Sequence, residues 1–365
     1  MDLQQTRQEN INRLTPHLEE IQHCHMLDAL EPFAKAYLGL YYQLDNDVPP
    51  LGRIAQLSDD ALYQAILRGF HTLLDGEYIP LPGAIGSRFS EDHDLGTGYI
   101  LLAALQHYCQ DHPERILKLS EPVISAAACY SYAHGAYQEN RWLDVIIHQR
   151  PQLLVNALLD FWRPIYQKNQ ELLPGLTVFL RNKDTTHISR QLAKTLLLEW
   201  PDCDTYTLYR LLQLVITSDD PVWLTEVLKT RIEQCPTYDI QRKIYWLTSA
   251  FFLQPERYYQ QLALYIGRTK EKVIKLLDFS YAALSQTGMH HYFSAMELAQ
   301  LLRLIAPVIV RNKGRLGQLD QSSTKVLNLF EQLASYPQHE RQQAVQWLHQ
   351  VRVMRSYADI LEQLQ

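Results

Sequence analysis

Apolar residues recur at three- and four-residue spacing through nearly every stretch of this 365-residue chain, while strict alternation over a strand length is absent. A strand turns successive side chains to opposite faces, whereas an α-helix brings residues three and four apart onto one stripe. The pattern therefore predicts an all-α protein. The segment from Ser58 to Asp75 illustrates it: acids follow a serine at its start, and Leu62, Ile66, Phe70 and Leu73 fall on one face, as an N-capped amphipathic helix requires. Further helices are expected over 97–110, 121–136, 141–148, 151–168 and 188–200, with Pro164 kinking or ending the fourth because proline lacks an N–H and clashes with the preceding turn.

One segment departs from this pattern. Residues 76–98 hold five glycines and two prolines in a chain with only 14 glycines. Glycine and proline disfavour a helix interior, so the segment reads as a long loop or seam. Its apolar Tyr78, Ile79, Leu81, Ile85 and Phe89 imply that it packs against the rest of the chain. The resulting organisation is an N-terminal helical region over 1–75, the seam over 76–98, and a helical array over 99–365.

Within that array the punctuation is regular. Pro201, Pro221, Pro236 and Pro255 each stand just outside or at the first turn of a helix, where a missing N–H is harmless. Helix starts near Thr185, Asp204, Pro221, Tyr238, Pro255 and Lys270 recur so that two helices and their turns occupy about 34 residues, the period of helical-repeat families. The helix from Gln241 is apolar round more than half its circumference, through Ile244, Tyr245, Leu247, Ala250 and Phe251, whereas the one from Asp219 has a narrower stripe of Trp223, Val227, Leu228 and Ile232. Wide stripes need neighbours on two sides, which stacked helix pairs supply. These features predict a right-handed α-solenoid of antiparallel helix pairs, HEAT- or TPR-like, closed by a terminal helix with a polar outer face that acts as a cap.

Composition bounds the function. With 47% hydrophobic and 20% charged residues the chain is an ordered globular protein. Its formal charge of -6 supplies no global attraction to nucleic acid or anionic lipid. Cys24, Cys109, Cys129, Cys203 and Cys235 are scattered, odd in number and without a Cys-x-x-Cys pair. They read as reduced thiols of a cytoplasmic protein rather than a disulfide framework or thiolate zinc site. No apolar run reaches the roughly 20 residues of a membrane span, and the first thirty residues lack a signal-peptide pattern.

Neither of the two common glycine-rich phosphate cradles occurs, nor does His-Glu-x-x-His, Gly-x-Ser-x-Gly or an EF-hand loop. No cofactor, metal or catalytic residue is assigned. His23, Cys24 and His25 are adjacent, so on a helix they point about 100° apart and do not converge on a metal; His290 and His291 meet the same objection. Asp92, His93 and Asp94, beside Glu91 in the glycine-rich segment, form the one polar centre where carboxylates would orient an imidazole for acid–base work. A solvated loop accounts for the same residues. The basic turns holding Arg181 and Lys183, and Arg311, Lys313 and Arg315, fit either a phosphate-binding ridge or capping of helix C-termini by cations. The chain also has 22 tyrosines, and aromatic rings are enriched at interaction hot spots. The adjacent pairs Tyr41 with Tyr42, and Tyr258 with Tyr259, are each expected to leave one ring at the surface.

The stretch QRKIYWLTSAFFLQPERYYQQLALYI, Gln241 to Ile266, with QLAKTLLLEWP before it, resembles the helical-repeat regions that follow the NTPase core of bacterial NACHT-type STAND proteins. The resemblance covers roughly 150–279 and implies a sensor arm that binds a trigger. The chain departs from that family in having no nucleotide-binding motif. The expectation is a helical-repeat scaffold with a protein partner. A hydrolase or metal-dependent enzyme centred on residues 76–98 is the alternative, followed by nucleic-acid binding through the basic turns; no membrane association is expected.

Overall fold

The computed structural model describes residues 3–93, 95–136, 140–168, 173–179, 185–200, 202–216, 221–286, 293–309, 320–350 and 357–364. Every regular element among them is helical, and among them no helix is long and apolar enough to cross a membrane. Contacts divide the chain into two compact units, Met1–Leu176 and Thr177–Gln365.

The first unit holds α1 (Leu3–Leu14), α2 (Leu18–Gln22), α3 (Leu27–Tyr37), α4 (Pro50–Leu57), α5 (Asp60–Leu73), α6 (Pro82–Ser90), α7 (Gly96–Tyr108), α8 (Glu121–Ala133), α9 (Arg141–Gln149) and α10 (Pro151–Gln167). The helix expected from Ser58 is α5. Asp59 caps it by accepting from Leu62 N at 2.9 Å, and Leu62, Ile66, Phe70 and Leu73 are all buried. At the centre lies α8, packed by α6, α7 and α10 and buried at every position from Val123 to Tyr132.

The segment expected as a loop contains a helix and lies inside the first unit. α6 packs more extensively on α10 than any other two helices of the chain do on each other. Gly83 faces the Asp160 carbonyl, Gly86 faces Phe161 and Pro164, and Glu91 accepts from Lys168 Nζ at 2.9 Å, so the two helices run in the same direction. Glycine lowers helix propensity in isolation, but here the missing side chains let α6 approach the α10 backbone, and burial of Ile79 and Ile85 offsets the entropic cost. Pro164 does not end α10, which continues to Gln167. The Asp160 carbonyl that loses its intrahelical donor faces Gly83 instead. Trp162 is fully buried and its indole N–H donates to Pro174 O at 2.9 Å.

A single turn, α11 (Leu176–Phe179), falls at the boundary between the units. The second unit continues with α12 (Thr186–Glu199), α13 (Thr205–Val215), α14 (Pro221–Gln234), α15 (Ile240–Leu253), α16 (Pro255–Ile266), α17 (Lys270–Gln286), α18 (Ala295–Ile305), α19 (Gln321–Ala334), α20 (Gln338–His349) and α21 (Ala358–Gln363). Pro221 and Pro255 open α14 and α16, as the punctuation predicts. Asp204, Asp239 and Asp320 accept backbone N–H groups at the starts of α13, α15 and α19, and Ser294 with Glu297 forms a capping box on α18, satisfying donors that a helix leaves orphaned.

Neighbours in this unit follow a rule. Consecutive helices touch at α12–α13, α14–α15, α15–α16, α17–α18 and α18–α19. Helices two apart also touch: α13 with α15, α15 with α17, α17 with α19, and likewise α16 with α18 and α18 with α20. α15, with neighbours on several sides, is buried from Ile244 to Phe252, as its wide apolar stripe requires. Cations early in one element repeatedly cap the preceding helix. Arg53 donates to Tyr37 O at 2.6 Å, Lys243 to Cys235 O at 3.0 Å, Lys272 to Tyr265 O at 2.7 Å and Arg341 to Ala334 O at 3.0 Å, each meeting the negative end of a helix dipole.

Candidate functional site

The row α13, α15, α17, α19 carries a continuous polar and aromatic ladder. The caps Asp204 and Asp239 fix where α13 and α15 begin. That phase brings Tyr209, Tyr245 and Phe279 of α17 together, with ring centroids 5.5 Å apart for Tyr209–Tyr245, 5.5 Å for Tyr209–Phe279 and 5.1 Å for Tyr245–Phe279. Hydrogen bonds extend the ladder. Gln241 Nε2 donates to Tyr245 OH at 2.7 Å, and Lys275 Nζ donates to Gln241 Oε1 at 3.0 Å. Lys325 of α19 pairs with Asp278 at 2.6 Å, and Asn328 Nδ2 donates to Tyr281 OH at 3.0 Å. Burial pushes the phenols of Tyr209 and Tyr245 up, so both are neutral donors and acceptors at ordinary pH. The half-buried Tyr209, Gln241, Lys275, Asp278, Tyr281 and Lys325 are held by partners yet remain reachable from solvent.

With the capping aspartates counted, the row is close to neutral: Arg210, Arg242, Lys243, Lys270, Lys272, Lys275 and Lys325 stand against Asp204, Asp239, Glu271, Asp278, Asp320 and Glu331. Arg210 lies 5.1 Å over the Tyr206 ring and 5.4 Å over that of Tyr209, and its Nη2 donates to Tyr206 OH at 3.3 Å. Its Nε–H is buried without an acceptor among the described residues.

The first unit offers a different feature, a cleft of about 350 Å³ lined by Asp28, Glu31, Arg88, His93, Gly96 and Thr97 among others. His93, from the polar centre expected in this segment, reaches it, but the cleft wall brings no cysteine and no second histidine beside it. His93 Nδ1 is 3.4 Å from Glu91, whose carboxyl is held below the usual range by the Lys168 ammonium. That ion pair ties the end of α6 to α10 and is structural. Asp92 adopts a left-handed φ of 51°, and Asp94 lies outside the described residues. Glu31 is paired with Lys35, which also lies 4.8 Å over the Tyr99 ring.

The remaining expected residues separate. Tyr42 is 89% exposed and stacks on half-buried Tyr41 at 6.1 Å, so that pair leaves one ring outward. Tyr258 is buried at 5% exposure on the stripe it shares with Leu262 and Ile266, while Tyr259 is half-buried against Phe251. Arg181, Lys183, Arg311, Lys313 and Arg315 lie outside the described residues, as do His290 and His291. Cys24 has a left-handed φ of 60° and its thiol donates to Gly69 O at 3.0 Å, while His23 Nδ1 is bound to Glu19 O at 2.8 Å. Among the described residues no group of three or more His, Cys, Asp or Glu side chains is placed to hold a metal ion. The ladder residues were missed because each looks ordinary alone. Their one signal is the return of Tyr209, Tyr245 and Phe279 at about the 34-residue repeat period.

No family model, no curated protein and no solved structure matches the chain.

Proposed function

We propose that the chain is a non-catalytic helical-repeat scaffold that binds a protein partner along the face formed by α13, α15, α17 and α19. On this reading the second unit is a right-handed α-solenoid of antiparallel helix pairs, and the protein acts as a cytoplasmic sensor or adaptor of the kind that the helical arms of NACHT-type STAND proteins provide. The carrying observation is the set of contacts between helices two apart along the row, Gln241–Lys275, Asp278–Lys325 and Tyr281–Asn328, which hold polar and aromatic groups in order before any ligand arrives. Preorganised aromatic and polar side chains lower the entropy lost on association, and stacked repeats present such surfaces over several helices.

The test is site-specific photo-cross-linking in native extract. A photoreactive residue at Tyr281, on the row, is compared with one at exposed Gln260 on α16. The reading expects a discrete adduct from position 281 and none from 260. Equal labelling from both positions, or none from either, contradicts it.

A further inference from the structure

We propose that the cleft of the first unit binds a free amino acid with an aliphatic side chain, holding its ammonium group at Asp28 and Glu31 and its carboxylate at Arg88. The proposal does not depend on the α13–α19 face. The cleft, about 350 Å³, opens between the start of α3 and the connection from α6 to α7. Ligand pockets run from roughly 300 to 1,000 Å³, so this one suits a small metabolite and not a nucleotide-sized molecule.

Its charges are of both signs. Asp28 and Glu31 stand three residues apart on α3 and share a face, and Arg88, in the last turn of α6, lines the same cleft. Glu31 already has Lys35 as a partner. Asp28 and Arg88 do not pair with each other, and neither side chain has an ion pair or hydrogen bond among the described residues. Opposite charges that line one cleft without closing on each other leave a gap, and a ligand bearing both charges bridges it: the guanidinium takes a carboxylate in a bidentate fork, and Asp28 takes an ammonium. Gly96 and Thr97, which open α7 without a side-chain cap, line the cleft as well, and the orphan N–H groups of a helix start reinforce Arg88 toward a carboxylate. Half-buried Leu27 and buried Ile100 supply an apolar wall for an aliphatic side chain.

The mixture of signs opposes simpler ligands. An anion alone meets Asp28 and Glu31, and a diamine meets Arg88 and the positive end of α7. The N-terminus of a peptide offers only an ammonium and its C-terminus only a carboxylate, whereas a free amino acid carries both on one carbon.

The experiment is titration calorimetry of the full chain with alanine, valine, leucine and isoleucine. At least one is expected to bind one-to-one, while its N-acetyl and amide derivatives, inorganic phosphate and putrescine each bind at least about tenfold more weakly. Arg88→Gln is expected to weaken the amino acid about tenfold and leave its amide unchanged; Asp28→Asn is expected to weaken it similarly and leave its N-acetyl derivative unchanged. Both side chains are exposed, so neither substitution removes a core contact. Arg141→Gln on α9, exposed and outside the cleft lining, is expected to have no effect. Absence of binding by all four amino acids, equal binding of a blocked derivative, phosphate or putrescine, or insensitivity to both cleft substitutions overturns the proposal.

Discussion

Lys275 on α17 donates to Gln241 on α15 at 3.0 Å, and the two residues stand 34 apart in sequence. The helical period thus reappears in space as a lateral bond between helices two apart. A double-mutant cycle on Gln241→Ala and Lys275→Ala is expected to show a coupling of about 0.5–1 kcal/mol in urea denaturation, the net worth of a half-exposed hydrogen bond. Strict additivity would show that the two helices do not hold each other.

Arg53 makes the corresponding contact in the first unit, but in a buried setting. Its Nη2 donates to Tyr37 O at 2.6 Å and its Nη1 to Asn46 Oδ1 at 3.3 Å, with only 7% of the residue exposed. Arg53→Met keeps the aliphatic stem and removes the cap, and should cost about 2 kcal/mol, read from the denaturation midpoint. Asn46→Ala should cost less than half of that. An unchanged midpoint in Arg53→Met would show the carbonyl to be satisfied otherwise.

A methyl added at Gly86 would lie 2.0 Å from the Phe161 carbonyl oxygen, whereas one added at Gly135 meets nothing within 4 Å. Gly86→Ala must push α6 off α10 and is expected to destabilise by about 3 kcal/mol. Gly135→Ala suffers only its left-handed φ of 71°, about 1 kcal/mol. Equal effects in thermal melts would contradict the close helix pair.

Burial pushes the Cys24 and Cys109 thiols up to about 11 from 9.0, so native alkylation by iodoacetamide should be slow at pH 8 and accelerate only in strong alkali. The folded pKa exceeds the unfolded one. The associated stability is therefore fully present below pH 9 and is lost as pH rises through about 11. Rapid native labelling at pH 8 by mass spectrometry would contradict this.

The all-helical fold was legible because its signal is cumulative: Leu62, Ile66, Phe70 and Leu73 are buried where the 3.6-residue period puts them, and Pro221 and Pro255 open helices as their chemistry dictates. What escaped was tertiary in origin. Gly83 and Gly86 argue against a helix by local propensity, and only α10, far along the chain, makes them favourable. Adjacency says only that one ring of Tyr258 and Tyr259 faces outward, and packing decides that Tyr258 is the buried one and Tyr259 the half-buried one. The ladder was illegible for a similar reason. Gln241 and Lys275 are common surface residues until the repeat brings them together, and nothing in either residue alone marks it as part of a surface.

The most direct test of the binding face is hydrogen–deuterium exchange of the chain with and without the partner captured at position 281. New protection confined to α13, α15, α17 and α19 is the predicted result. Protection spread over α14, α16, α18 and α20, or confined to the first unit, would contradict it.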